Sequence, residues 1–165
     1  LQTNPRDRVL PMVAARFHES RGSEAAAIES YDLALANAPG NRIWHRQRGM
    51  CHYRNGNFKQ AAADLNVALT RSPVQPQMAE FQAWVESYLQ TGQYSAAERA
   101  LNLMAADDVH TPEIEMLRGL CRLRQGHSSE AAEIIVSALV EWPQHAGLRR
   151  VAGMIESQNE TGQPD

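Results

Sequence analysis

Four glycines divide this chain at nearly constant intervals. Gly22, Gly56, Gly92 and Gly126 lie 34, 36 and 34 residues apart, and Ala27, Ala61, Ala97 and Ala131 repeat the same three steps. Pro39, Pro73 and Pro143 keep the register as well. Four residues after each alanine stands a larger apolar or aromatic side chain, Tyr31, Leu65, Leu101 or Ile135, and on a helix that spacing puts both on one face. In every copy the glycine separates two stretches with apolar residues at three and four spacing, for example Trp44 to Tyr53 and then Phe58 to Leu69. Each copy therefore reads as a helix hairpin.

The punctuation agrees. Glycine lacks the Cβ that makes positive φ costly, so these four are expected to end the first helix of each hairpin in the left-handed conformation. The prolines close the second helix, because proline disfavours helix in the residue before it and has no N–H to donate. Asp7 is a candidate cap for the first helix, with Pro11 in its first turn, and Thr111 followed by Pro112 has the same form.

On these marks the sequence resembles the tetratricopeptide repeat family, whose helix-turn-helix unit has a period of about 34 residues. The second copy matches best, through Gly49, Tyr53, Gly56, Phe58, Ala61, Leu65, Ala68, Leu69 and Pro73. It departs from the family at Trp44, one residue early, while the third copy has Met104 and Val109 where the family has Ala and Pro. Two extra residues fall around Pro73 to Pro76. The resemblance implies an all-α, right-handed α-solenoid of four hairpins over residues 8–41, 42–75, 78–111 and 112–145, after an extension at 1–7.

Beyond Pro143, Leu148, Val151 and Ile155 fall on one side of a helix and Arg149, Arg150 and Glu156 elsewhere. Residues 146–158 are expected to cap the last hairpin, which would otherwise expose its apolar face. Nine helices and no strand follow. Residues 159–165 hold no apolar side chain and are expected to form a disordered tail. No cap precedes Leu10, Val13 and Phe17, so an upstream domain or a second copy of the chain is expected to cover that end. The sequence opens on Leu1 without a basic leader and is read as a soluble part of something longer.

A net charge of -3 over 165 residues lacks the basic footprint of a nucleic-acid binder. No apolar run reaches the roughly 18 to 20 residues that span a bilayer. Residues 1–75 carry 10 basic against 6 acidic side chains and residues 76–165 carry 6 against 13. Such asymmetry can steer a partner or favour head-to-tail contacts, or be no more than drift on a solvated surface.

The six histidines form no H-E-x-x-H and no i, i+4 pair, and C-x-x-C is absent, so neither a metal nor a cofactor is expected. By the resemblance, His18 and His52 stand where a tyrosine packs. Cys51 and Cys121 lie two copies apart, about 20 Å at ordinary helix spacing, too far for a disulfide. Buried thiols favour a reducing compartment. A cytoplasmic location is expected, with the periplasm or attachment to a membrane protein left open. Cys51 and His52 point about 100° apart on a helix and cannot serve as nucleophile and base. With no G-x-S-x-G and no phosphate-binding loop, no enzyme is expected.

In the family, the first helix of each hairpin lines a concave groove. Carrying those positions over residue by residue gives Met12 and Arg16, then Arg46, Met50, Tyr53 and Arg54, with Glu19 and Ile43 on the same stripe. The third copy supplies Gln82, Glu86 and Leu89, and the fourth Met116, Leu120, Leu123 and Arg124. Adaptable Met, forked Arg and anchoring Tyr suit a protein or peptide partner that is amphipathic with an acidic flank. For Met116, Leu120 and Leu123 the alternative is packing against the capping helix. The family's two-carboxylate clamp for chaperone C-termini is absent, since its positions read Met12, Arg16, Gln47, Ala79 and Ala83. The expected function is a protein–protein interaction scaffold holding a peptide or helix in the groove. The alternative is a structural or oligomerisation module of a larger protein, such as a kinase, a transferase or a secretion component. That module would assemble through the uncapped N-terminal end, with a homodimer as one form.

Overall fold

The computed structural model describes residues 9–70, 76–105 and 110–161. They form nine helices: α1 Val9–Ser20, α2 Glu24–Asn37, α3 Arg42–Arg54, α4 Phe58–Leu69, α5 Met78–Gln90, α6 Tyr94–Ala105, α7 Pro112–Arg124, α8 Ser128–Glu141 and α9 Ala146–Thr161. No strand occurs among the described residues. The extension at 1–7 with Asp7, the loop residue Pro73, and Val109 lie outside them.

The periodic glycines do what their lack of a side chain permits. Gly22, Gly56, Gly92 and Gly126 have φ of 68, 75, 70 and 85°. After each, the next N–H donates to the carbonyl five residues back, Ser23 to His18, Asn57 to His52, Gln93 to Tyr88 and His127 to Arg122. That bond satisfies a carbonyl the helix end leaves unpaired. At the other ends, Asn41 Oδ1 accepts the Trp44 N–H at 3.1 Å. Thr111 caps α7 by accepting the Ile114 N–H at 3.4 Å, with Pro112 in the first turn.

Two compact units divide the chain, Leu1–Ser87 and Tyr88–Asp165, with the boundary inside α5. In the first, α1 packs on α2, α2 on α3 and α3 on α4. Ala15, Ala27, Tyr31, Ala34, Leu35, Trp44 and Cys51 form one buried cluster there. In the second, α7 packs on α6, α8 and α9, and α9 also covers α8, burying Leu148, Val151 and Ile155. Ala27, Ala61, Ala97 and Ala131 are all 0% exposed. Crossing is closer still at two glycines, where an added Cβ would stand 2.9 Å from Leu65 Cγ at Gly49 and 2.5 Å from Ile135 Cδ1 at Gly119.

α9 runs to Thr161, so residues 159–161, expected in the tail, are helical. Once the face at Leu148 to Ile155 is packed, each added residue gains a hydrogen bond without a new nucleation cost. Residues 162–165 lie outside the described residues.

Candidate functional site

The first unit holds the inner-stripe residues of α1, α3 and the first part of α5, and most of their polar side chains are paired within the chain. Arg46 Nη1 lies 3.6 Å from Glu80 Oε1. The Tyr53 hydroxyl donates to Glu86, whose other oxygen accepts the Gln82 amide at 2.9 Å. Burial first, and then this bond, push the Tyr53 phenol well above its usual range.

A second network ties α1, α2 and α3 together. Arg54 reaches both oxygens of Glu24, at 2.6 and 3.0 Å, and Glu19 Oε1 at 3.1 Å. The bond to Arg54 holds the Glu24 carboxyl below its ordinary range and strengthens the guanidinium's hold on its proton. Glu19 also accepts the Tyr31 hydroxyl at 2.8 Å and the Cys51 thiol at 3.3 Å. Sequence reading placed Glu19 on the inner stripe; its carboxylate is instead a fastener between helices.

The apolar side chains of the stripe differ in burial. Met12 packs partly on the core cluster, Met50 is half-buried, and Ile43 is 68% exposed at the start of α3. Arg16 is exposed on α1. Arg46 and Arg54, expected to meet a partner's carboxylates, meet the chain's own.

In the second unit most of the expected stripe is interior. Leu89, Met116 and Leu123 are 6, 4 and 2% exposed and belong to the core. For Met116 the reason is α9, which packs on α7 and brings Gly147 so near that a Cβ there would collide with the Met116 sulfur. Leu120 is half-buried and Arg124 exposed, so these two are what remains of that stripe on the surface.

Two of the pairing carboxylates, Glu19 and Glu80, stand about one period from their arginines. Arg46 and Glu80 are 34 residues apart, and Arg54 and Glu19 are 35 apart. In a chain with a 34-residue period, opposite charges one period apart are neighbours on adjacent hairpins.

Cys51 and Cys121 are buried and free, and burial pushes the Cys121 thiol up to about 11 and that of Cys51 further. Among the described residues no group of three His, Cys, Asp or Glu side chains is placed to hold a metal ion, and no helix is long and apolar enough to cross a membrane.

A sequence model described as Tetratricopeptide repeat matches residues 20–76 and 83–146. The structure is similar to a tetratricopeptide repeat protein from Parabacteroides merdae, with a TM-score of 0.75 at 18% identity over 93% of this chain; the match spans 59% of that protein. It is similar to MamA, with a TM-score of 0.74 at 16% identity over 93% of this chain and 82% of the other. YrrB, described as a TPR protein with an unusual peptide-binding site, matches with a TM-score of 0.70 at 19% identity, over 97% of this chain and 81% of its own. At such identities the likeness is one of fold. No curated protein matches the sequence.

Proposed function

The chain belongs to the tetratricopeptide repeat family, and from that membership we propose that it is a protein-interaction scaffold which holds a peptide or short helix of a partner against the inner face of its first unit. The observation that carries this is Ile43, a large aliphatic side chain 68% exposed, on the same stripe as Met50 and Met12 and on the same helix as the paired Arg46 and Tyr53. Because Arg46 and Tyr53 are already held by Glu80 and Glu86, less side-chain freedom is lost when a partner arrives. Methionines adapt their shape to the apolar side chains of that partner. Any preference for an acidic flank rests on Arg16, since Arg46 and Arg54 are paired internally. YrrB, whose description names a peptide-binding site, lends support. The test is to select peptides on the whole chain and follow amide shifts on titration. Shifts centred on α1 and α3, around Met12, Ile43 and Met50, support the reading; shifts confined to the second unit overturn it.

A second reading has its own observation. Leu10, Val13 and Phe17, at three and four spacing, form one stripe along α1 and are 57, 53 and 55% exposed, a grouped apolar surface and not a scatter of single residues. This face would serve assembly of the chain with itself or with a larger protein. Sedimentation of the parent and of Phe17→Asp decides: a dimer lost on substitution favours assembly, and a monomer in both cases removes self-association.

A further inference from the structure

We propose that the exposed stripe of α1 docks on the outer face of α8 of a second copy of the chain, so that copies join head to tail. The proposal rests on the reading of that stripe as an assembly face and names what covers it. Apolar surface is the first reason to choose α8. Besides α1, it alone among the described helices exposes two large hydrophobic side chains, Val136 at 62% and Val140 at 81%. Glu133 lies on the same face, since 133, 136 and 140 follow at three and four spacing.

Charge is the second reason. The one acidic residue of α1, Glu19, is held by Arg54, Tyr31 and Cys51. Arg21, just past the end of α1, places its guanidinium 5.6 Å from the centre of the Phe17 ring and forms no ion pair among the described residues. A second α1 facing this stripe would offer Arg21 no free carboxylate. α8 has no Lys or Arg. Its Glu130 and Glu141 are met by Arg122 and His110, whereas Glu133 is exposed and has no ion-pair partner among the described residues. The uncompensated charge is thus positive beside one apolar stripe and negative beside the other, which is the complementarity that orients a contact.

The spacing along each helix fits one register. Val13 and Phe17 are four residues apart, as are Val136 and Val140, which is about 6 Å of rise in both helices. Laid antiparallel, Val13 meets Val140 and Phe17 meets Val136. Arg21 then lies beyond Phe17 on the side where Glu133 continues the α8 face, about 4.5 Å of rise from Val136. The parallel register instead sets Leu10 on Glu133 and buries a carboxylate against a leucine, which is costly. Because the two faces differ, each copy offers α1 to one neighbour and α8 to another.

Sedimentation of the whole chain tests this. The parent's mass should rise above that of one chain as concentration increases. Phe17→Asp and Val136→Asp, both at exposed positions, should each be monomeric alone with helicity unchanged. Mixed, they should form a dimer and nothing larger, because each keeps the one face the other has lost. Arg21→Glu should weaken self-association about fivefold, and Glu133→Lys added to the same chain should restore it. Assembly that survives Val136→Asp but is lost with Phe17→Asp overturns docking on α8 and leaves the α1 reading standing, as does a mixture of the two variants that stays monomeric. A parent that is monomeric at every concentration, or assembly that survives both variants, overturns the proposal together with self-association through α1.

Discussion

Arg48 grips Asp64 through two parallel bonds, Nε to Oδ2 and Nη2 to Oδ1, both 2.7 Å long. Its Nη1 also reaches Asp32 at 2.6 Å, so one guanidinium joins α2, α3 and α4. The side chains of Arg48 and Asp64 are only 20 and 6% exposed. Arg48→Met leaves the buried Asp64 carboxylate with His45, whose Nδ1 is 2.8 Å from Oδ1, and is expected to cost about 1.5 to 3 kcal/mol in urea unfolding. A double variant with Asp64→Leu should recover much of the loss. If Arg48→Met costs less than about 1 kcal/mol, the pair behaves as a solvated surface bridge and the account of α3 is wrong.

Three glycines should respond to alanine with different signs. Gly49→Ala forces a methyl against Leu65 and should destabilise by about 1 to 3 kcal/mol. Gly56→Ala meets open space but must keep φ of 75°, at about 1 to 2 kcal/mol. Gly153→Ala, within α9 and with nothing near its Cβ position, should stabilise by about 0.5 to 1 kcal/mol. Melting temperatures moving the same way in all three would contradict the packing.

His52 should make stability depend on pH. It is buried, its Nε2 is 4.0 Å from Asp64 Oδ2, and its Nδ1 has no hydrogen-bond partner. Burial outweighs the attraction of Asp64 and holds its pKa below the ordinary 6.5. The unfolded chain thus binds the proton more readily, so this contribution is full above pH 6.5 and is lost as pH falls through the lower folded value. Urea midpoints from about pH 7.5 to 5 should fall for the parent and less steeply for His52→Gln. Coincident slopes would remove His52 as the cause.

Both thiols should be slow to react in the folded chain. Cys121 is pushed up to about 11 and Cys51 further, each chiefly by burial, so little thiolate exists at neutral pH. A disulfide reagent should label neither within minutes natively and both at once in denaturant. Fast labelling of Cys51 in the native chain would mean that the Glu19 network opens.

Local chemistry made much of the fold legible. The four glycines had to adopt positive φ, the alanines had to be small, and Leu148, Val151 and Ile155 had to find a neighbour; all were visible at spacings of three, four and one period. The site was less legible because the position of a side chain on a stripe does not reveal what it touches. Arg54 lies on the inner stripe, yet its fate was decided by Glu24, 30 residues earlier and on another helix. Met116 shared a stripe with Leu120 and Arg124, but the approach of Gly147 put it in the core. Burial and pairing across helices are properties of the assembled unit.

The central claim, that the first unit's inner face binds a partner by apolar contact, is tested most directly by titration calorimetry with a peptide selected on the whole chain. Ile43→Ala and Met50→Ala should weaken binding by about 1 to 2 kcal/mol each, alike at low and high salt. Arg16→Ala should matter at about 0.1 M salt and little at 1 M, where the screening length shrinks from roughly 10 to 3 Å. If all three variants bind the peptide as tightly as the parent at both salt concentrations, the inner face of the first unit is not the binding site.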